Sequence, residues 1–293
     1  MKDIISKAGT LIEALPYLQK FRGKVFVFKY GGHAMVDETL RQSFVRDVVL
    51  LKHVGIHPVV VHGGGPQIKE TLDQLGVQSQ FVNGLRVTDK ETMKIVEMVL
   101  VGRVNSEIVN LFNKMGGAAV GLSGVDGNLL QAVKMPKQKI KNQDGSTQEC
   151  DLGFVGEIKN VNPKLVNKLV YEENFIPVIS PIGISEEGDS LNINADTAAA
   201  EIAKALHAEK LILITDVDGV KGKDGKVMSV LRKKQVKDMI EEGVISGGMI
   251  PKISSGLEAL HHGVESVAIV NGQIQHAILL EIFTDEGVGT MVY

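Results

Sequence analysis

Short β-branched or apolar runs recur along this chain at residues 24–28, 57–61, 118–122, 176–180, 210–215 and 266–270, and amphipathic helical stretches separate them. Parallel strands joined by helical crossovers must be covered on both faces, so this alternation restricts the fold more than any other feature. It predicts an α/β fold: an open, mostly parallel sheet sandwiched between helix layers. With 293 residues, 44% of them hydrophobic, the chain can bury one large α/β unit or two closely packed lobes. A soft lobe boundary is expected near Pro181, dividing residues 23–180 from 181–293, with residues 1–22 as a separate N-terminal helix.

The intervening helices carry their own punctuation. Residues 66–75 open on Pro66 and stop at Gly76. Thr88 and Glu91 have capping-box spacing before a long helix that should end ahead of Gly116 and Gly117. Asn162 and Pro163 open another, with Val166, Leu169 and Val170 on one face. Residues 131–159, with Asp144-Gly145 between polar alternating runs, read as a β-hairpin excursion, and residues 222–228 as a smaller one. At the start, Ile4, Ile5, Ala8, Leu11, Ile12, Leu15 and Leu18 recur at helical spacing, and Pro16 should kink or end that helix. Such a helix either packs on its own domain or serves as an oligomer-forming arm.

Charge and composition exclude several classes of function. A formal net charge of -3 with scattered signs offers no basic field to nucleic acid. No apolar run approaches the roughly 20 residues that cross a bilayer, and the N-terminal segment lacks the pattern of a secretory signal. A single cysteine, Cys150, leaves no internal disulfide, which suits a cytoplasmic location. His261 and His262 lack companion ligands, so a solvated helix end accounts for them better than a metal site, and no protein-held metal is expected.

Three glycine clusters fall at expected carboxyl ends of strands, where open α/β sheets bind ligands. Gly31-Gly32 follows Lys29; Gly63-Gly64-Gly65 follows His62; Gly124 and Gly127 flank Asp126. Glycine lets backbone N–H groups approach an anion, and a following helix N-terminus adds a favourable dipole. Phosphate or carboxylate binding follows. Neither the G-x-x-x-x-G-K-[ST] loop nor a G-x-G-x-x-G turn is present, and a hydrolase reading of the His-Gly-Gly-Gly run lacks its G-x-S-x-G nucleophile turn. In the second half, Asn192, Asn194 and Asp196 stand at the entrance of the helical run 197–207, more polar groups than capping requires. Thr215, Asp216, Asp218 and Gly219 form a polar turn after a strand. Lys252 follows Gly247-Gly248 just inside a helix start, against the dipole preference, which implies an anionic ligand.

In order, Lys29 to Gly32, His62 to Gly65, Asn83 to Thr88, Asn192 to Asp196, Asp216 to Gly219 and Gly248 to Lys252 closely resemble the N-acetylglutamate kinases of the amino acid kinase family. The likeness runs from residue 29 to the C-terminus. It implies a sheet of about eight strands, an N-terminal lobe for the amino-acid substrate and dimerisation, and a C-terminal lobe for ATP. It implies transfer of the γ-phosphoryl group of ATP to the side-chain carboxylate of N-acetyl-L-glutamate, giving N-acetyl-L-glutamyl 5-phosphate in arginine biosynthesis, with Mg2+ held mainly by the nucleotide phosphates. Carried over residue by residue, Lys29 and Lys252 stabilise the transition state, Asp196 orients both, and Gly31, Gly32 and Gly64 hold phosphoryl oxygens. Gly64, Gly65, Arg86 and Asn192 contact the acceptor, with Arg86 suited to bidentate capture of its α-carboxylate. Thr215, Asp216, Gly219 and Gly248 contact the nucleotide. Some members assemble as hexamers, trimers of dimers, through an extra N-terminal helix, and are inhibited by arginine; Tyr17, His276, Glu281 and Gly287 match that effector site. Two alternatives remain open: a kinase of acetylaminoadipate, aspartate or glutamate, and a non-catalytic arginine or nucleotide sensor on the same fold.

Overall fold

The computed structural model describes residues 2–141, 147–285 and 287–293. Helix α1 (Lys2–Phe21) precedes β1 (Val25–Tyr30), a 3-10 turn (Gly32–Met35), α2 (Glu38–His53), β2 (His57–His62) and α3 (Gly65–Gln74). Next come the short pair β3 (Phe81–Val82) and β4 (Leu85–Arg86), then α4 (Lys90–Glu97), a π-helical segment (Met98–Val104), α5 (Asn105–Lys114) and β5 (Ala119–Ser123). The middle of the chain supplies β6 (Leu130–Lys134), β7 (Gln138–Lys141), β8 (Thr147–Cys150), β9 (Gly156–Val161), α6 (Lys164–Asn167), β10 (Ile176–Ser180), β11 (Ile182–Ile184) and β12 (Ser190–Asn192). The last third holds α7 (Ala195–Ala205), β13 (Lys210–Thr215), β14 (Val230–Leu231), α8 (Lys233–Glu241), α9 (Met249–His261), β15 (Ser266–Asn271), α10 (Ala277–Phe283) and β16 (Thr290–Val292).

Eight strands form the main sheet in the order β14-β16-β15-β13-β1-β2-β10-β5, parallel throughout except between β15 and β16. Its six consecutive strands from β15 to the edge strand β5 are those the sequence predicts. From β1 the chain winds outward to β2 and later returns to lay β13 on the other side, so the carboxyl ends of β1 and β13 flank a topological switch point. A smaller sheet, β12-β11-β6-β9, lies beside it.

Alternation along β1 assigns its side chains to two cores. Phe26, Phe28 and Tyr30 enter the cluster that includes Phe44, Val48 and Phe112 of α2 and α5. There Tyr30 stacks on Phe44, with ring centroids 3.8 Å apart and planes 2° from parallel. Val25 and Val27 enter the opposite cluster with Ala199, Ile202, Ile253 and Leu257 of α7 and α9. Lys29, two residues beyond Val27, therefore emerges on the α7 and α9 side.

Several local expectations change. The helix at residue 90 is capped by Asp89, whose carboxylate accepts from Thr92 N–H at 2.7 Å; Thr88 is buried and donates its hydroxyl to Arg86 C=O instead. The long helix expected up to Gly116 is interrupted by the π segment. Pro16 does not end α1, which continues to Phe21. Helix α7 starts at Ala195, ahead of the expected Thr197, because Asn194 caps it by accepting from Asp196 and Thr197 N–H. The 131–159 excursion splits: β6 pairs with β9, and β7 with β8 as a nested antiparallel hairpin. The Asp144-Gly145 turn expected between them lies outside the described residues. Residues 222–228 form a turn closed by the bridge between Lys221 and Val227. Among the described residues, no helix is long and apolar enough to cross a membrane.

Candidate active site

At the switch point three charged side chains from distant elements meet. Asp196, in the first turn of α7, is buried; its Oδ2 accepts from Lys252 Nζ at 2.9 Å, and its Oδ1 faces Lys29 Nζ at 3.1 Å. Lys29 is the next-to-last residue of β1 and is 8% exposed, whereas Lys252 lies in the first turn of α9 with its side chain 25% exposed. Burial works to raise the Asp196 carboxyl, but the Lys29 and Lys252 ammoniums outweigh it and hold the group below the usual carboxylate range. Burial pulls Lys29 below the usual lysine range, with Asp196 opposing that shift and Lys252 adding to it. One carboxylate thus faces two cations, and the cluster retains a net positive charge toward anything that approaches it.

The first glycine turn wraps this cluster. The Lys29 ammonium folds back over Gly31, 2.8 Å from where a Cβ would stand. Gly32 has φ +71°, and a Cβ there would fall 2.5 Å from Asp216 Oδ1. Asp216, directly after β13, also accepts from His33 N–H at 2.7 Å. The residue expected at the nucleotide therefore ties the glycine turn across the switch point.

A cavity of about 190 Å³ is lined by Gly64, Gly65, Arg86, Asn192 and Ala195, among others, Ala195 being the neighbour of Asp196 at the start of α7. All four expected acceptor contacts line it together. Arg86 is buried, donates to Gly65 C=O at 3.3 Å and to the Ser79 hydroxyl, and places its guanidinium 4.6 Å from the Phe81 ring centroid. Asn192 donates from Nδ2 to Thr88 Oγ1 at 3.3 Å. A second cavity, of about 390 Å³, is bounded by Asp216, Gly219, Val220, Ile245 and Met249. Thr215 is the buried end of β13 just before it, and Gly248 precedes Met249 at its rim.

The expected effector residues divide. Tyr17 and Gly287 line a cavity of about 440 Å³ between α1 and the segment after α10. Tyr17 donates its hydroxyl to Asp285, and Glu281 lies behind Gly287, accepting from Val288 and Gly289 N–H at 3.1 and 3.2 Å. His276 points elsewhere, its Nδ1 2.6 Å from Oδ1 of the buried Asp47 on α2. Sequence reasoning missed Asp47, whose one signal is an acid flanked by the buried Val45, Val48 and Val49. It also missed Ser79 and Phe81, which lie in a polar stretch with no helical or strand period.

The amino acid kinase family model matches residues 24–271, and the chain belongs to that family; it is a kinase. The acetylglutamate kinase of Geobacter sp. (strain M21) is 55% identical over all of this chain and 99% of its own. That of Methanocaldococcus jannaschii is 56% identical over 100% and 98%. These relatives bear out the acetylglutamate kinase expected from the motif series. Among solved structures, N-acetylglutamate synthase from Neisseria gonorrhoeae, complexed with coenzyme A and N-acetyl-glutamate, superposes with a TM-score of 0.82 at 28% identity, over 97% of this chain and 63% of that one. The same enzyme complexed with coenzyme A and L-arginine gives 0.78 at 26%, over 97% and 65%. Carbamate kinase from Giardia lamblia, at 14% identity and a TM-score of 0.64 over 92% and 98%, shares the fold.

Proposed function

We propose that the chain phosphorylates the side-chain carboxylate of N-acetyl-L-glutamate with ATP, in the cytoplasm, as a step of arginine biosynthesis. One observation carries the site assignment: Lys29 and Lys252 share Asp196, whose chain neighbour Ala195 lines one cavity, while Asp216, tied to the glycine turn after Lys29, lines a second, and each cavity suits one anionic reactant. The cavity with Arg86 and Asn192 takes the acceptor, Arg86 pairing with the α-carboxylate and Asn192 using both halves of its amide. The cavity between Asp216 and Met249 takes the nucleotide, which brings Mg2+ on its phosphate oxygens. Residues 23–180 would supply most acceptor contacts and dimerisation, and residues 181–293 most ATP contacts.

The acceptor carboxylate has an ordinary pKa near 4.3 and arrives ionised, so no general base is needed. The difficulty is bringing two anions together while charge spreads over the transferring group. Lys29 and Lys252 offset that charge from two directions. Asp196 holds them in register and, kept ionised by both, takes no proton. The N–H groups of Gly32 and Gly64 offer fixed dipoles to the phosphoryl oxygens. Trapping the acyl phosphate with hydroxylamine tests the reading: N-acetylglutamate should give the hydroxamate in an ATP-dependent way, and preferential reaction of aspartate, glutamate or acetylaminoadipate would reassign the acceptor.

Feedback by arginine is the second part of the reading. It is supported by the cavity beside Tyr17, Glu281 and Gly287 and by the likeness to the synthase complexed with L-arginine. Glu281 would pair with the guanidinium. Leu11 and Ile12 on α1 are 73% and 68% exposed, which fits a helix that joins dimers into a hexamer. Leu11→Asp with Ile12→Asp should then reduce a hexamer to dimers on sizing; an unchanged hexamer would reject that role.

A further inference from the structure

A buried polar pair that the chemistry above does not use sits beneath the second glycine turn. His62, the last residue of β2, is wholly buried. Its Nδ1 lies 2.8 Å from Gly63 C=O and its Nε2 lies 3.1 Å from Nδ2 of Asn105. Asn105 opens α5 where the π segment ends. Its Nδ2 also donates to Val178 C=O on β10 at 2.8 Å. The Leu122 C=O and the Ser180 hydroxyl oxygen lie farther from that nitrogen, each at 3.5 Å. The close Val178 carbonyl identifies the group as the amide NH2, which can only donate, so the hydrogen bond to His62 runs from Asn105. His62 Nε2 must then accept, its proton resides on Nδ1, and Nδ1–H donates to Gly63 C=O.

That last bond has a geometric consequence. The Gly63–Gly64 peptide is planar and trans, so its C=O and N–H point in opposite directions. Holding the Gly63 carbonyl against His62 aims the Gly64 N–H away from the core, and Gly63 to Gly65 line the acceptor cavity. Gly63 N–H is separately anchored to Tyr30 C=O at 2.8 Å. The π segment adds steric support: a Cβ on Gly64 would fall 2.4 Å from Leu100 Cδ2 and 3.6 Å from Val104 Cγ2. The extra residue in a π turn shifts the helix face, which brings Leu100, Val104 and Asn105 together under the loop.

We propose that Asn105 and His62 are positioning residues for phosphoryl transfer, acting as one unit that fixes the His62 tautomer and thereby aims the Gly64 N–H at the transferring group. This rests on the acetylglutamate kinase reading and extends it to two side chains that touch neither substrate. The pair should affect turnover and leave substrate binding nearly alone.

His62→Asn and His62→Gln separate this role from simple packing. Asn retains a donor where Nδ1 stands, whereas Gln retains an acceptor, its amide oxygen, where Nε2 stands. The expected result is that His62→Gln and Asn105→Leu each lose ~10²-fold in kcat, comparable to one misaimed oxyanion donor, with KM for both substrates little changed. His62→Asn should stay within about tenfold of the wild type. The double variant His62→Gln with Asn105→Leu should lose no more than either alone, as members of one unit do. Equal kcat for Asn and Gln at position 62, losses that multiply in the double variant, or effects confined to KM would overturn the proposal. The unaltered protein provides an independent readout: 15N resonances of His62 should report a neutral ring protonated at Nδ1, and an Nε2-protonated ring would contradict it. A wild type that forms no acyl phosphate from N-acetylglutamate would instead defeat the activity reading, and the positioning role with it, whatever the tautomer.

Discussion

Lys29 and Lys252, separated by most of the chain, hold opposite oxygens of the same buried carboxylate, at 3.1 and 2.9 Å from Asp196. Replacing Asp196 by Asn would leave Lys29 buried without its contacting counter-charge, only the weaker influence of Asp216 remaining. We expect Asp196→Asn to destabilise the fold by about 3–5 kcal/mol, the usual cost of orphaning a buried charge, and to lower turnover as well. Urea unfolding at neutral pH measures the first effect. A loss below about 1 kcal/mol would mean that solvent relieves Lys29 more than its burial allows.

Arg86 is held by Gly65, Ser79 and Phe81 before any acceptor arrives. Such a preset guanidinium should bind the acceptor's α-carboxylate equally in ground and transition states. Arg86→Ala is therefore expected to raise KM for N-acetylglutamate by roughly 10²-fold with little change in kcat. Arg86→Lys should recover little, because an ammonium cannot form the two-pronged contact. Steady-state kinetics with the acceptor varied decides the point, and an unchanged KM would remove Arg86 from the acceptor site.

Much of this arrangement is legible in the amino-acid sequence. The six predicted strands are mostly apolar runs because parallel strands covered on both faces bury nearly every side chain, with polar exceptions such as Lys29 and His62 falling at carboxyl ends. The glycine turns fall at their carboxyl ends, and the family motifs identify Lys29, Asp196 and Lys252 as a set. What lay beyond the sequence depends on contacts between distant segments. Asn105 looks like any polar residue on a helix until β5 and β10 supply its carbonyl partners. The π segment has no local signature, since Met98 to Val104 continue an ordinary helical pattern. The family resemblance groups His276 with Glu281, yet His276, in the left-handed conformation at φ 57°, has its ring against Asp47.

Asp47 and His62 should impose opposite pH slopes on stability. Burial raises the Asp47 carboxyl to about 6, with His276 opposing the shift, and Ser43 also contacts that ring. The folded state thus holds a proton that the unfolded state has released, and stability falls as pH rises from about 4 to 6. Burial lowers His62 to about 4, so the unfolded state takes up its proton first and stability rises over about pH 4 to 6.5. Relative to the wild type, Asp47→Asn should therefore gain stability as pH increases from 4 to 6. Unfolding free energies at pH 4.5 and 6.5 provide the test, and a pH-independent difference would show that Asp47 ionises normally.

Gly64 and Leu100 are coupled by space alone. Gly64→Ala should cost about 1–3 kcal/mol through overpacking. Leu100→Ala opens room there, so the double variant should be more stable than the sum of the two losses predicts. Thermal unfolding of the three variants measures that coupling; strict additivity would mean that the loop moves aside without strain.

The central claim, that two ammoniums from separate elements stabilise one travelling phosphoryl group, is tested most directly by kcat for Lys29→Ala and Lys252→Ala with saturating ATP and N-acetylglutamate. Each is expected to fall by roughly 10²–10³-fold, as for removal of one preorganised charge-stabilising donor. Turnover within a few-fold of the wild type in either variant would contradict the account.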